Sequence, residues 1–197
     1  GIVIDRCLRV AGDEMDQALI NFIKLKYSLL LGQASAEEIK IQLGSALPPD
    51  RLVNKGMRGD KEAVSDYKEA LFLEARNKEK QMVVRGRDLE TGLPKSIKIS
   101  AQEIREALSP VIHQIVEQIS DVIEEAPPEL VNDMVSKGIV LCGGGSLITG
   151  LDKLIAEETK IPVWVADDPQ TCVVRGCAKI LADEKMLNRF RITGSLR

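Results

Sequence analysis

Residues 138–146, Gly-Ile-Val-Leu-Cys-Gly-Gly-Gly-Ser, constrain the fold of this chain more than any other segment. Ile139–Leu141 is a compact apolar run of the kind that forms a buried strand, and the glycines permit a tight turn into a helix. A second strand is predicted at Val163–Val165, beyond that helix, and Ile2–Ile4 predicts another buried strand. Strands that alternate with helices indicate an α/β layer.

The longest helix is predicted to begin directly after Ser100. Ser100 and Glu103 have the spacing of a capping box, in which each side chain bonds the backbone amide of the other residue. The apolar residues that follow, as far as Ile123, recur with a period of about 3.6, so one helix face should be buried. A Pro-Pro pair at 127–128 ends this helix, and a further helix is predicted at 129–136.

Two more helices are predicted near the carboxyl end. One begins at about Leu147, and the other is capped by Asp168 with Pro169 in its first position. The second of these helices should bury a face of apolar residues. These residues are Val173, Val174, Cys177, Ala178 and Leu181.

The first part of the chain predicts two helices. One starts at Gly12, has apolar residues on one face and stops at Gly32. Ser35 and Glu38 form a second capping box, which predicts a short helix that ends near Gly44.

A β-hairpin is predicted from the short strands 82–84 and 96–99, because Gly and Pro lie between them. The hairpin and the short helices before it indicate a smaller α+β lobe inserted into the α/β layer, with a cleft between the two lobes. The charged, amphipathic segment 52–78 is predicted to be a helical insertion within that lobe. The predicted bounds are 1–11 and 109–197 for the core subdomain and 12–108 for the inserted subdomain.

The charge balance excludes one class of function. The chain has 27 basic and 30 acidic side chains, for a formal net charge of −3. Domains that bind nucleic acids are typically basic or carry a stripe of Lys and Arg. We therefore expect no nucleic-acid partner, and no apolar run reaches the ~18 residues that a membrane-spanning helix needs.

The four cysteines, at positions 7, 142, 172 and 177, lie in apolar stretches without CxxC spacing. This spacing argues against zinc and redox sites, so no metal ligands are predicted. Free cysteine is among the most buried residue types, so we expect buried, reduced thiols in a cytoplasmic protein.

Two features of the sequence could bind a ligand, and each has a structural alternative. The glycines at 143–145 would let a nucleotide phosphate or sugar lie against the backbone at a helix N-terminus, or they serve only a tight turn. Glu37 and Lys40 share a helix face and could flank an adenine or a ribose, or they form an exposed ion pair. The residues alone leave both alternatives open.

Five segments together resemble the MreB family of bacterial actin homologues, and they occur in the same order over nearly the whole chain. The segments are AGDEMDQALINF (11–22), ASAEEIKIQLGSA (34–46), VVRGRDLETGLPKSIKIS (83–100), PPEL (127–130) and GIVLCGGGSLITGLD (138–152). Ala11 stands where the family commonly has glycine, and the segment 52–78, in the lobe that contributes to filament contacts in the family, is longer than usual.

The resemblance implies an actin-like fold in which two α/β domains close on ATP and magnesium. Such proteins assemble into filaments that guide cell-wall synthesis in rod-shaped bacteria. The chain resembles the second domain only, so catalysis by this chain alone is not expected. Magnesium would be held mainly by the ATP phosphates and by the other domain, through which membrane contact would also be made.

The resemblance also assigns site residues. Glu37, Glu38, Ile39 and Lys40 match the helix that contacts adenosine in the family, and the run Gly143, Gly144, Gly145 and Ser146 matches its glycine-rich adenosine loop. No catalytic residue is implied. The implied partners are other copies of the protein and cell-wall elongation proteins.

Two alternatives of a different class stay open at this point. One is half of another actin-like enzyme, such as a sugar kinase or a chaperone ATPase, which shares the glycine-rich adenosine loop. The other is a stand-alone interaction module that kept the fold and lost the nucleotide.

Overall fold

The computed structural model describes residues 2–53 and 80–193. Its first part contains α1 (Gly12–Tyr27), β1 (Leu29–Leu30), α2 (Gln33–Leu43), α3 (Pro49–Val53), β2 (Gln81–Asp88), β3 (Pro94–Ser100) and α4 (Ala101–Glu125). Its second part contains α5 (Pro128–Lys137), β4 (Ile139–Leu141), a 3-10 turn (Gly144–Leu147), α6 (Leu151–Thr159), β5 (Val163–Val165), α7 (Cys172–Ala182) and α8 (Glu184–Thr193). Strands β1, β2 and β3 form an antiparallel sheet in that order, whereas β4 and β5 form a parallel pair.

Helix α1 begins at Gly12, as predicted, but ends at Tyr27 rather than near Gly32. The reason is Ser28, which takes a left-handed conformation with φ 52° and thereby ends the helical hydrogen bonding. The residues after it form β1, a strand that the sequence did not predict, at the edge of the antiparallel sheet.

Helix α2 ends at Leu43 and is followed by Gly44, as predicted. The predicted capping box at its start is wrong, because the helix already begins at Gln33 and Ser35 lies inside it. The residue before the helix has no side chain, and no side-chain cap hydrogen bond is formed there.

The predicted hairpin is confirmed as β2 and β3, which are longer than expected. Val84 and Ile99 point from the two strands into the core. The capping box after β3 is also confirmed: the Glu103 amide donates to Ser100 Oγ at 3.3 Å, and the Ser100 amide donates to Glu103 Oε2 at 2.8 Å. Helix α4 therefore starts where the sequence predicted.

Glu103 also ties α4 to the end of α1. Lys26 Nζ lies 2.8 Å from Glu103 Oε1, and the Tyr27 hydroxyl donates to the same carboxylate. Burial of the Glu103 carboxyl by itself raises its pKa, but hydrogen bonds from Lys26, Tyr27 and Ser100 outweigh that effect and lower the pKa to about 2. The folded state therefore strongly favours the ionised form of Glu103.

The core lies between α1, α2, α4, α6 and the inner face of the antiparallel sheet. Its largest fully buried side chains are apolar and come from each of these elements. They are Met15, Leu19, Ile23, Leu29, Ile39, Leu47, Ile99, Ile104, Leu108, Ile112 and Ile155.

The two strands β4 and β5 are confirmed at the predicted positions and pair in parallel; α6 packs on β5, but two other helices of this part are exposed. Helices α5 and α7, both within the described part of the chain, contain no buried residue. Val173 is 67% exposed and Leu181 is 70% exposed, so the prediction that the last helix buries its apolar face is wrong. The surface that would cover this face is not among the described residues.

The predicted starts of α6 and α7 are also wrong, and left-handed residues explain both. The helix expected from about Leu147 begins only at Leu151, because Gly150 before it has φ 81°. Asp168 has φ 48° and accepts a hydrogen bond from Thr171, so the chain turns there and α7 begins later.

Two further predictions fail at exposed positions. Cys7, Cys142 and Cys177 are exposed and Cys172 is half-buried, so the thiols are not buried as expected. Cys172 and Cys177 belong to α7, whose apolar face is uncovered. No strand forms at Ile2–Ile4, where Ile2 and Val3 are exposed.

No helix in residues 2–53 and 80–193 is long and apolar enough to cross a membrane. The predicted helical insertion 52–78 lies outside the described residues, apart from Leu52 and Val53 in α3. The division into a core and an inserted subdomain stays a prediction.

Candidate functional site: a glycine turn and helix α2

The glycine-rich turn after β4 is closed by its own hydrogen bonds. Gly143 has φ 87°, and its amide donates to the Pro169 carbonyl at 2.7 Å. Ser146 is buried, and its hydroxyl donates to the Gly143 carbonyl at 2.7 Å. The hydroxyl of Ser146 is therefore used inside the turn, where it fixes the path of the backbone.

Gly144 and Gly145 differ from a glycine that packing requires. A Cβ at Gly138 would lie 2.7 Å from the Pro162 carbonyl oxygen, and Gly138 has φ 82°. By contrast, a Cβ at Gly145 meets nothing within 4 Å, a Cβ at Gly144 meets only Gln170 Nε2 at 3.8 Å, and neither residue has a positive φ. Among the described residues, neither space nor backbone conformation requires glycine at 144 or 145. The turn therefore presents open backbone against which a ligand can lie.

The four candidate residues of α2 face in different directions. Glu37 and Glu38 are exposed, and Glu38 accepts a hydrogen bond from Gln42 at 3.0 Å. Ile39 is buried in the core, where it fixes the rotation of the helix. Lys40 lies in the last turn, half-buried, and its ammonium donates to the Gly12 carbonyl at 3.1 Å. Glu37 and Glu38 are thus open to solvent, Lys40 is partly exposed, and only Ile39 is closed off from a ligand.

Lys40 has a buried acidic neighbour that the sequence prediction missed. Asp16 of α1 is 4% exposed, and its Oδ1 lies 2.8 Å from Lys40 Nζ. A signal was present in the sequence: Asp16 is three residues before Leu19 and seven before Ile23, on the apolar face of α1. A charged residue on a buried face requires a partner of opposite charge.

Backbone hydrogen bonding joins the segment after α2 to the segment after the glycine turn. Ser45, just after α2, forms a parallel bridge with Thr149, which follows the 3-10 turn. The Ala46 amide donates to the Thr149 carbonyl at 2.8 Å. Two segments that are about a hundred residues apart in sequence are thereby brought together beside the candidate residues.

The site does not have the ligands of a metal ion. Within the described ranges, no three His, Cys, Asp or Glu side chains gather in a way that could hold one. Uncovered glycine backbone and polar side chains suit the sugar and base of a nucleotide, whereas Mg²⁺ prefers several oxygen ligands in octahedral geometry. The residues present fit a nucleoside and do not fit a magnesium ion.

Comparison with solved structures defines the class. MreB5 from Spiroplasma citri, solved with ADP bound, is similar over 98% of this chain and 50% of its own, with a TM-score of 0.76 and 30% sequence identity. The fold is thus an actin-like α/β fold, as the sequence predicted.

Sequence comparison defines the family. The model for the MreB/Mbl protein family matches residues 1–71 and 61–189. The cell shape-determining protein MreB of Escherichia coli is 38% identical over 92% of this chain, and Mbl of Bacillus subtilis is 34% identical over 98%. The chain belongs to the MreB/Mbl family. It spans 44% and 50% of the lengths of these two relatives, or about half.

Proposed function

We propose that this chain is the adenosine-side half of an ATP-binding, filament-forming protein that determines rod cell shape by guiding cell-wall synthesis in the cytoplasm. Its residues for the adenosine are Glu37, Glu38, Ile39 and Lys40 of α2 and the run Gly143–Ser146. Ile39 and Ser146 hold the two walls in place, while Glu37, Lys40 and the open glycine backbone contact the ligand.

The open backbone at Gly144 and Gly145 is the observation that carries this proposal. Glycine there serves no packing contact among the described residues, and both glycines lie at the start of the 3-10 turn Gly144–Leu147. A flat base or a ribose can approach such a backbone closely. The ADP bound to MreB5 supports the same ligand class for this chain.

The exposed apolar face of the second part supports the proposal that the chain is a fragment. Val140, Trp164 and Val173 are each more than half exposed in the described structure. Parallel strands normally have both faces covered. A further domain, corresponding to the other half of the relatives' length, would supply this cover, the phosphate and magnesium contacts, hydrolysis and membrane contact.

Membership of the MreB/Mbl family is what supports filament assembly and cell-wall elongation partners in this proposal. Self-association of the complete protein would be its main output, with ATP controlling it. The 197-residue chain would bind ATP weakly, with a Kd of about 1 mM, because good sites bury roughly 70–90% of a ligand and only one wall is present.

The test is ATP binding by the chain and by two glycine variants, measured by ligand-detected NMR. Gly145→Val should abolish binding, because its side chain would fill the open surface without a clash inside the chain. Gly176→Val is the matched control, since Gly176 in α7 also has nothing within 4 Å of its Cβ. Submicromolar binding by the wild type, or equal binding by both variants, would contradict the proposal.

A further inference from the structure

The pair Asp16–Lys40 joins the amino-terminal part of α1 to the last turn of α2. Lys40 Nζ lies 2.8 Å from Asp16 Oδ1 and donates to the Gly12 carbonyl at 3.1 Å. The side chains are 5% and 15% exposed, so both groups are largely removed from water. A long lysine side chain is thereby held in one position at the edge of the proposed adenosine site.

The Asp16 carboxylate holds the Lys40 ammonium in place and also balances its charge. None of the described residues donates a well-aligned hydrogen bond to Asp16 Oδ1, although the ammonium lies against it. The attraction is therefore mainly one of charge, and the ammonium keeps N–H donors for other acceptors, since it has three and the Gly12 carbonyl accepts one. The pair as a whole carries no net charge.

We propose that Asp16 is a positioning residue that fixes Lys40 and cancels its charge, so that Lys40 recognises an uncharged nucleoside hydroxyl and not a phosphate. This inference rests on the proposed adenosine site. A free ammonium would attract the phosphates of a nucleotide over several ångströms, whereas a neutralised one acts only through short hydrogen bonds. Asp16 would thus set which part of the nucleotide α2 binds.

The experiment compares binding of adenosine and of ADP to the 197-residue chain, by ligand-detected NMR, at about 50 mM and about 500 mM NaCl. In Asp16→Asn the adenosine Kd should rise about tenfold, because the lysine is no longer held. The ADP Kd should rise less than about threefold at low salt, because the unpaired ammonium now attracts phosphate, and this advantage should disappear at high salt.

Asp13→Asn is the matched control, since Asp13 lies in the first turn of the same helix and is exposed. It should leave both dissociation constants unchanged within about twofold. Thermal unfolding followed by circular dichroism reports whether each variant is folded. A folded Asp16→Asn that weakens both ligands equally, or neither, would show that the pair only ties two helices together and would overturn the inference.

The double variant Asp16→Asn/Lys40→Gln decides the matter if Asp16→Asn does not fold, since it replaces the ion pair by two neutral groups. Its adenosine Kd should match that of Lys40→Gln within about twofold, because Asp16 acts only through the lysine. Adenosine binding as tight as in the wild type would overturn the inference. If the wild-type chain binds neither adenosine nor ADP, the proposed function itself fails, and the role of Asp16 fails with it.

Discussion

The antiparallel and the parallel parts of this molecule differ in how well they are covered. Helices α1, α2 and α4 bury one face of the sheet β1–β2–β3, and the other face is exposed to water. The pair β4–β5 packs with one face on α6 and the core, whereas Val140 and Trp164 on its other face are exposed, and neither α5 nor α7 buries a residue in the described structure. An antiparallel sheet is stable with one wet face, whereas parallel strands are normally covered on both. One wet face is therefore ordinary for the sheet β1–β2–β3, whereas an exposed apolar face is unusual for parallel strands such as β4 and β5.

The largest contrast is expected between two leucines. Leu108 in α4 is 0% exposed and Leu181 in α7 is 70% exposed. Leu108→Ala should lower the free energy of unfolding by about 3–5 kcal/mol, through lost burial and a residual cavity, and Leu181→Ala by at most about 0.5 kcal/mol. Urea denaturation measures both. Equal losses would mean that α7 is as well packed in solution as α4.

A second contrast concerns how the free energy of unfolding depends on pH in variants of two glutamates of α4, Glu103 and Glu106. The pKa of Glu103 is lowered to about 2 in the folded state, so its contribution is fully present above its ordinary pKa and is lost as the pH falls from about 4.5 towards 2. The contribution is on the order of 3 kcal/mol. Glu103→Gln should flatten this part of the stability profile, measured by urea denaturation between these pH values. Glu106→Gln, an exposed residue of the same helix, should keep the slope of the wild type.

Two glycines near β4 differ in whether the fold requires glycine: packing and a positive φ require it at Gly138, and neither requires it at Gly145. Gly138 has φ 82° and ψ 179°, a region that is essentially reserved for glycine, and a Cβ there would meet the Pro162 carbonyl at 2.7 Å. Gly138→Ala should therefore cost about 2 kcal/mol of unfolding free energy, whereas Gly145→Ala should change it by less than about 0.5 kcal/mol. Thermal unfolding measures both. A stable Gly138→Ala would show that the junction before β4 is loose.

The smallest expected effect is on the exposed face of α7. Val173→Lys should change the unfolding free energy by less than about 0.5 kcal/mol and should lower the fluorescence of a dye that binds exposed apolar surface. Gln114→Lys, on the exposed side of α4, adds the same charge and should leave dye binding unchanged. A loss of more than about 1 kcal/mol for Val173→Lys would place that residue in a packed interface in solution.

Local signals in the sequence predicted local structure well. Ser100 and Glu103 bond to each other's amides because every group that this cap needs lies within four residues, and the hairpin before them has its turn residues in place. Ser35 and Glu38 show the same spacing without forming a cap, since the helix starts two residues before Ser35. A capping pattern indicates that a helix is near and does not fix its first residue.

Burial could not be predicted from one segment alone. The apolar face of α7 correctly indicates a helix, but burial depends on a second surface that the helix itself does not specify. The site shows the same limit. The spacing of Glu37 and Lys40 made them candidates, while Asp16 lies in another helix and is joined to Lys40 only by the packing of α1 on α2.

The position of the last buried aliphatic side chain has a consequence for synthesis of the protein. Apart from Pro169, Ile161 is the final buried apolar residue of the described chain, just before β5. A ribosome that adds about 5–20 residues per second finishes every segment of this core before it makes β5, α7 and α8. The newborn chain can thus close its interior early. We expect the last elements to leave the ribosome with exposed apolar surface.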